Sequence, residues 1–514
     1  MRNFFITTNN FFTGNRIAFP AGIDYSKRKM GLSYSKLNEK GNKMIKAGFY
    51  ECDITPAYGM ERPASYNKNF IKKINDPLKV SVVVVQKDDT TLVLGGVDIC
   101  YLGDGMVERV REALPGVNIL LTASHTHYGG PMGMSKIPDG ISELARKLVL
   151  EESVCGNPHY TTHLVNQTVT AIKAAMSRME EVELSFGKGD ASGVTFNRGF
   201  KMKNGHRATH PGKCNPDIVA PFAPIDTEVG VVGFWRKSDE SFLGCMVNFS
   251  CHGTCDGTGA TADWPGVMRN TIKSVMGADS GVVYLYGTAG DITQIDNQSL
   301  SPTESGPKYS KIVGVTVGAE ALKVLMKSKK GDIDTVKADT KIITVKRRVP
   351  SPEKVEKAKE TVLKWERNTQ FHFAKETVVL SEILKIDGID LPLELQFFQL
   401  GPLAIVSLPG EAFCGIGLAI KAASHFPFTW VCSLANNISC GYIPTADVLD
   451  PVTGGGYESR LTVFTSTVPE TADIIVKELS GMIAKETPGT VPVGPQVKPS
   501  NKVWDYGSNL PELE

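Results

Sequence analysis

The sequence predicts an α/β fold in which a mixed, largely buried β-sheet is flanked by helices in several layers. Apolar runs such as residues 79–86 and 403–410 are nearly continuous, which is typical of strands buried on both faces. Helical patterns lie between many of these runs, and such interleaving of strands and helices indicates the α/β class.

Each apolar run bounded by turn residues is predicted as a strand, and in chain order these are 79–86, 91–100, 117–127, 182–191, 228–236, 240–252, 281–288, 393–401, 403–410 and 428–436. Apolar residues at helical spacing predict helices at 104–114, 161–179, 264–277, 311–328, 352–368 and 469–486. In the third of these helices Pro265 stands near the start, where its missing N–H breaks no hydrogen bond.

Length and charge limit the organisation and the partners of the chain. The 514 residues would allow about three domains of ~150 residues each. However, no linker or internal repeat divides residues 46–486, so one domain is predicted there, after an extension at 1–45 and before a proline-rich surface tail at 487–514. The net charge of +1 argues against nucleic acid as the main partner; oligomeric state is left open.

Cysteine usage and apolar segments bear on the compartment. The ten cysteines are scattered, mostly inside apolar runs, which indicates reduced, buried thiols. There is no apolar run of about 18 residues and no signal-like N-terminus, so neither a membrane anchor nor export is expected and the predicted location is cytoplasmic. Met44 precedes the first apolar segment and is a hypothetical biological start.

Polar residues follow several predicted strands, as is usual for α/β active sites. SHTH (124–127) closes one strand, and the i, i+2 spacing predicts that His125 and His127 point the same way. His252 follows another strand; alone it is equally consistent with a hydrogen-bonded core histidine. Glu411 ends the run 403–410, where a buried carboxylate needs a partner such as a metal ion.

Two histidines, one glutamate and an open position are typical of a hydrolytic zinc site. Two other classes of enzyme with a His-x-His motif fit poorly. A metallo-β-lactamase site needs H-x-H-x-D-H, whereas residues 128–130 here are Tyr-Gly-Gly. An amidohydrolase barrel carries the motif on its first strand, whereas several strands precede it in this chain.

An ordered series of short motifs resembles the neutral/alkaline, non-lysosomal ceramidase family over roughly residues 46–460. The motifs are GFYECDITP (48–56), VDI (97–99), SHTH (124–127), NR (197–198), HGT (252–254), ADWPG (262–266), GDIT (290–293), LPGE (408–411) and Tyr442. The resemblance implies a divergent amidase-type zinc hydrolase that cuts an N-acyl bond.

The resemblance also implies roles for individual residues. His125, His252, Glu411 and Tyr442 would hold Zn²⁺. The catalytic residues would be His127, the arginine Arg198, and Asp291 and Thr293 of the GDIT turn. Asp98 and Asp263 could orient the histidines, although surface or capping roles are equally open for them.

Two departures from the family pattern bear on the substrate. Thr293 stands where ceramidases have a serine, and its extra methyl group changes the reach of the hydroxyl. No signal or anchor is evident, which favours a soluble substrate, such as a sugar derivative or lipid fragment, over a bilayer lipid. Three hypotheses follow: a hydrolase of a soluble N-acyl or related compound, a genuine ceramidase, and a non-catalytic binding protein.

The remaining histidines are weaker candidates for function. His159 and His163 lack the glutamate of an H-E-x-x-H zinc motif and are expected at the surface or in the core. The loop 205–212, which contains His206 and His210, is a possible lid over the site. His372 and His425 are expected to be structural.

Overall fold

The computed structural model describes residues 44–64, 68–103, 105–133, 137–302 and 304–514, all of which belong to one compact unit. Apart from its last two residues, the predicted extension at 1–45 lies outside the described residues. The hypothesis that Met44 is the biological start depends on residues 1–43, which also lie outside the described residues.

The strands are β1 (Lys46–Asp53), β2 (Lys79–Lys87), β3 (Thr90–Val97), β4 (Asn118–Ala123), β5 (Glu180–Asp190), β6 (Phe196–Asn197), β7 (Gly199–Met202), β8 (Arg207–Thr209), β9 (Ile218–Pro221), β10 (Glu228–Arg236), β11 (Phe242–Phe249), β12 (Gly281–Tyr286), β13 (Ile292–Thr293), β14 (Lys330–Gly331), β15 (Val336–Lys346), β16 (Asp390–Leu400), β17 (Leu403–Ser407), β18 (Glu411–Ala412), β19 (Phe428–Cys432) and β20 (Tyr442–Ile443). The α-helices are α1 (Met106–Ala113), α2 (Glu143–Glu152), α3 (Pro158–Ser177), α4 (Asp263–Met276), α5 (Pro307–Lys327), α6 (Pro352–Leu363), α7 (Thr369–Asp387), α8 (Cys414–Ala423) and α9 (Thr471–Ala484).

The main sheet has the strand order β12-β11-β10-β5-β1-β2-β3-β4 within the described residues, with β14 added beside β5. Most of its pairs are antiparallel, whereas β3–β4 and β11–β12 are parallel. A second sheet has the order β15-β16-β17-β19, and its β17–β19 pair is parallel. Both sheets are therefore mixed, as predicted.

The two sheets pack face to face and are covered by helices. On β2, Val83 and Val85 face the second sheet, while Val80, Val82 and Val84 face the opposite core. That opposite core includes residues of α1, α3, α4 and α5. The outer face of the second sheet packs against α8 and α9. The resulting four layers explain why the strand sequences are apolar on both faces, and they confirm the predicted multilayer α/β class.

A smaller helical cluster lies outside these layers and was not predicted as a unit. Helices α2, α6 and α7 share a core that includes Leu148, Val362 and Phe371. Helix α7 lacked a clear apolar stripe because buried residues occur around much of its circumference, from Phe371 to Glu382. Sequence periodicity identifies helices with one apolar face, so it missed this one.

The tail and the cysteines have simple environments. The start of the tail lies against the second sheet, where the Gly489 N–H donates to the Gly401 carbonyl at 3.0 Å, and residues 495–514 are exposed. The ten cysteines are free, and all but Cys155 and Cys214 are buried. Within the described part of the chain, no helix combines the length and the apolar character needed to cross a membrane.

Candidate metal centre

His125 lies in a turn directly after β4. The strand ends at Ala123, and His125 adopts a left-handed backbone with φ 60°. This conformation is unusual for a residue with a side chain. The imidazole Nδ1 lies 2.7 Å from the Cys100 carbonyl, which fixes Nδ1 as the N–H donor and leaves the Nε2 lone pair free.

His252 is held in the same way after β11. Its Nδ1 lies 2.8 Å from the Ile292 carbonyl, so Nε2 is again the free acceptor. The two histidine segments run side by side, because the His127 N–H donates to the Gly253 carbonyl at 2.9 Å. This contact requires glycine: a Cβ at position 253 would lie 2.7 Å from the His125 carbonyl oxygen.

Glu411 reaches the histidines from the second sheet. It follows β17 and begins the short strand β18, which pairs in parallel with β20 so that Glu411 stands opposite Tyr442. The Gly290 N–H donates to the Ala412 carbonyl at 2.8 Å, which ties the GDIT turn to this strand. The predicted metal ligands therefore follow or lie on strands of different sheets.

Three ligand atoms converge at this point. The Glu411 Oε2 atom lies 3.2 Å from His125 Nε2 and 3.6 Å from His252 Nε2. The ligand atoms of these three buried residues all lie within 4.8 Å of one another. Within the described residues, Glu411 Oε2 and His252 Nε2 are buried without a hydrogen-bond partner. A divalent cation would satisfy them, so the residues present fit a metal ion.

The electrostatics of the cluster also fit a cation. Burial raises the pKa of Glu411, but His125 and His252 outweigh it and hold the pKa well below its usual range. Burial lowers the pKa of His125, but Glu411 outweighs it and raises the pKa to about 10. The Glu411 carboxylate thus favours a positive charge at His125 Nε2, which a bound metal ion would supply in place of a proton. Burial, Arg198 and His125 lower the pKa of His252 to about 4, which keeps this imidazole neutral and able to coordinate.

A second group of donors, Cys100, His125 and His127, is also close enough to be considered for a metal. The His125 Nδ1 atom, however, lies 3.8 Å from the Cys100 sulfur and only 2.7 Å from the Cys100 carbonyl. Since Nδ1 donates its proton to the carbonyl, this nitrogen cannot bind a metal ion together with the Cys100 thiol. The cluster with Glu411 is therefore the better metal centre.

His127 stands between this cluster and a cavity of about 670 Å³. Its Nε2 lies 3.3 Å from His125 Nε2, and its side chain lines the cavity wall together with Arg198 and Tyr442. Burial and the neighbouring His125 and His252 hold the pKa of His127 well below its ordinary value. The sequence predicted that His125 and His127 point the same way on a strand. Their proximity arises instead from the turn at His125.

Arg198 is buried beside Tyr442 and is fixed by several acceptors. Its Nε donates to Glu458 at 2.7 Å, and its Nη2 donates to the Gly290 carbonyl at 2.6 Å and to the Tyr442 hydroxyl at 3.2 Å. Its Nη1 donates to none of the described residues. The predicted arginine is thus in place at the cavity wall.

Glu458 and Arg207 complete this network, and sequence reasoning missed both. Glu458 is fully buried, and its second oxygen accepts hydrogen bonds from Arg207 Nη1 at 2.9 Å and from Thr209 at 2.7 Å. Glu458 lies in a single 3₁₀ turn with no strand end or motif to mark it. The possible lid 205–212 was a partial signal for Arg207, and the structure places β8 of that loop at the cavity wall.

Asp291 and Thr293 are near the centre but do not line the cavity. The Asp291 carboxylate accepts from the Cys414 N–H at 2.8 Å and from the Asn197 side chain at 2.7 Å. The Thr293 hydroxyl donates to the Gln294 side chain at 3.0 Å. These contacts are those of structural side chains. The catalytic roles expected for Asp291 and Thr293 remain predictions.

Asp98 and Asp263 do not orient the histidines. Asp98 pairs with Arg269 at 2.7 Å. Asp263 accepts from the N–H groups of Cys255 and Trp264, each at 2.7 Å, and so supports the loop before α4. Backbone carbonyls orient the histidines instead, and sequence patterns contain no signal for such acceptors.

The weaker histidine candidates lie outside the ligand cluster, and one of them, His210, lines the cavity. His159, His163 and His206 are exposed, and His425 contacts the Glu486 carbonyl at 2.9 Å, which is a structural contact. His210 lines the cavity, where its Nδ1 lies 2.9 Å from the Asn297 side chain.

The chain matches no protein-family model and no curated protein. Among solved structures, a ceramidase complexed with C2 matches with a TM-score of 0.63 and 17% identity, over 87% of this chain and 77% of that one. Neutral ceramidase from Pseudomonas aeruginosa matches with a TM-score of 0.61 and 18% identity, over 88% and 76%. The chain has the ceramidase fold. The resemblance predicted from the motifs is confirmed at the level of the fold.

We expect Gly253→Ala to weaken metal binding and to lower the stability by about 1–3 kcal/mol, because the new Cβ overpacks against His125 and Thr126. Calorimetric zinc titration and thermal unfolding measure the two effects. Gly481→Ala on α9 is the matched control, since no atom lies within 4 Å of its added Cβ and alanine favours a helix. Unchanged zinc affinity in Gly253→Ala would show that the close contact of the two histidine segments does not position the ligands.

Proposed function

We propose that this chain is a zinc-dependent hydrolase that cleaves an amide (N-acyl) or related bond of a small molecule by attack of water. One observation carries the proposal: His125 Nε2, His252 Nε2 and Glu411 Oε2 converge behind a cavity wall. The ceramidase fold supports the same class of reaction. Two histidines and one carboxylate are a common ligand set of hydrolytic zinc sites.

His125, His252 and Glu411 would hold the ion, with the Tyr442 hydroxyl as a fourth ligand. The chemistry that zinc supplies in such sites is Lewis acidity, together with a lowered pKa of water. The Tyr442 hydroxyl accepts a hydrogen bond from Arg198, and this leaves another oxygen lone pair available. The carbonyls of Cys100 and Ile292 orient the two imidazoles.

His127 is the residue best placed to move protons. Its Nε2 lies at the junction of the ligand cluster and the cavity, 3.3 Å from His125 Nε2. Because its pKa is low, the ring is neutral near pH 7 and can accept a proton from water at Nε2. The same nitrogen then donates that proton to the leaving amine.

Arg198 would stabilise negative charge on the substrate oxygen. Glu458, Gly290 and Tyr442 fix Nε and Nη2, so the guanidinium is held in place before substrate binds. Nη1 is then available to donate to a developing oxyanion at the cavity wall. Donors held in this way need no reorganisation during the reaction, which is the basis of oxyanion stabilisation.

One set of assays on the zinc-supplemented chain tests the proposal against two rival functions. The compounds assayed are short water-soluble N-acyl compounds and detergent-dispersed ceramide. Release of amine from the soluble compounds is the expected result. Turnover of ceramide alone would identify a genuine ceramidase, the activity named for the structural neighbours. Zinc binding without turnover of any compound would indicate a non-catalytic relative and overturn the proposal.

We expect Thr293→Ala to keep its activity within about tenfold of the wild type, because the hydroxyl donates to Gln294 rather than facing the cavity. The loss of one buried hydrogen bond should lower the stability by about 1 kcal/mol. Thr254→Ala is the matched control, since its hydroxyl donates to the same Gln294 oxygen at 2.9 Å. A loss of activity beyond ~10³-fold in Thr293→Ala alone would show that the hydroxyl acts at the reacting centre.

A further inference from the structure

The cavity in front of the metal centre is polar and positively charged. Both Arg198 and Arg207 line it, and among the described residues of its wall none carries a carboxylate. The carboxylates that face the two guanidinium groups lie behind the wall. Glu458 is fully buried and pairs with both of them, and Arg207 offsets part of the rise that burial causes in the pKa of Asp291. A ligand in the cavity therefore meets no carboxylate among the described wall residues.

The Arg207 guanidinium is held in place by aromatic rings, glycines and hydrogen bonds. Its guanidinium lies 5.3 Å from the ring centre of Phe222 and 5.6 Å from that of Phe413. Glycine at 199 and 456 leaves room for it, because a Cβ would lie 2.4 Å from Nη2 and 2.5 Å from Nη1 respectively. Nη1 is occupied by Glu458, Thr209 and the Gly455 carbonyl.

The remaining donors of Arg207 are unsatisfied. Its Nε and Nη2 atoms are buried, and neither has a hydrogen-bond partner among the described residues. Unpaired buried donors on a charged group are costly, and they call for an acceptor that the chain itself does not supply. Nε and Nη2 form one edge of the planar guanidinium, and a carboxylate or another oxyanion matches such an edge with two parallel hydrogen bonds.

We infer that the substrate carries a carboxylate or a similar oxyanion, which Arg207 binds while the scissile acyl bond lies beside His127. The inference rests on the proposed function for the scissile bond and adds the substrate class. A cavity of about 670 Å³ suits a small molecule. Its wall is made of arginine, histidine, tyrosine, threonine and small residues, so an anionic N-acyl compound matches it better than a long, uncharged lipid.

The binding test uses two ethers that contain no amide or ester bond, hexyloxyacetate and its neutral counterpart 2-hexyloxyethanol, titrated calorimetrically into the zinc-supplemented wild type. We expect the carboxylate to bind at least about tenfold more tightly than the alcohol, as a charge-assisted pair would. The preference should shrink with added salt. Equal affinities for the two ethers would overturn the inference.

Two variants distinguish a direct contact with Arg207 from a general electrostatic attraction of the anion to the cavity. Arg207→Gln removes the contact and one positive charge. The double variant with Glu458→Gln also removes the contact, but it keeps the net charge of the wild type. We expect the carboxylate preference to fall below about threefold in both. A wild-type preference in the folded double variant would overturn the role of Arg207.

The matched substrates N-hexanoylglycine and N-hexanoylglycinamide separate this inference from the proposed function. A higher kcat/KM for the acid, lost in the Arg207 variants mainly through KM, is the expected result. Hydrolysis of both compounds at equal rates would leave the hydrolase standing and defeat the anion site. If the protein preferred the carboxylate ether but hydrolysed neither substrate, the anion site would be supported and the proposed hydrolase function would be overturned.

Discussion

Replacing His125 with alanine is expected to abolish zinc binding and hydrolysis together. The imidazole supplies one of three converging ligand atoms, and its Nε2 lies 3.2 Å from Glu411 Oε2. Loss of a partner outside the ligand shell already costs ~10–100-fold in metal affinity or activity, so loss of a direct ligand should cost more. Zinc content after dialysis and the rate of amine release from a soluble N-acyl compound measure the two losses.

His163→Ala is the matched control for this variant. His163 is an exposed histidine on α3, outside the ligand cluster, so zinc content and rate should stay at wild-type values. If His125→Ala kept its zinc and lost only activity, His125 would act on the substrate rather than on the metal. If it kept both, the metal centre would be placed wrongly.

Replacing Glu458 with glutamine is expected to destabilise the protein by about 3–5 kcal/mol, which is typical when one partner of a buried ion pair is removed. Glu458 is fully buried and faces both Arg198 and Arg207, so the variant removes the carboxylate that the two buried guanidinium groups share. Chemical denaturation of the zinc-supplemented protein measures the shift of the unfolding midpoint. Glu356→Gln is the control, because that carboxylate is exposed on α6.

The same network gives a pH dependence. Burial raises the pKa of Glu458, but Arg198 and Arg207 outweigh it and lower the pKa from 4.5 to about 2. The stabilisation is therefore complete above about pH 4.5 and is lost as the pH falls through about 2. Glu458→Gln should lose less stability than the wild type over that interval. Equal acid sensitivity in the two proteins would show that the Glu458 carboxylate is not the group that titrates.

Much of the fold could be predicted because burial on both faces leaves a clear record in the sequence. The strand predicted at 228–236 agrees with β10, and 79–86 differs from β2 by one residue. Strand β15 left no such record, since most of its residues are exposed at the edge of the second sheet. Helix α3 begins earlier than predicted because Asn157 caps it and Pro158 opens it.

The candidate site was partly predictable for a similar reason. Histidine and glutamate after apolar strands are conspicuous, and His125, His252 and Glu411 do meet. The residues that hold them were not predictable, since backbone carbonyls such as that of Cys100 carry no sequence signal. Glu458 was missed because its importance comes from burial against two arginines, which only the folded chain shows.

The proposed function requires that His125, His252 and Glu411 hold one metal ion beside His127. Crystals of the zinc-supplemented protein, measured on both sides of the zinc absorption edge, test this requirement by locating the ion. We predict one strong anomalous peak at ~2.0–2.2 Å from His125 Nε2, His252 Nε2 and a Glu411 oxygen. Zinc-supplemented crystals with no peak there, or with the peak at another group of residues, would show that these three residues do not form the metal centre.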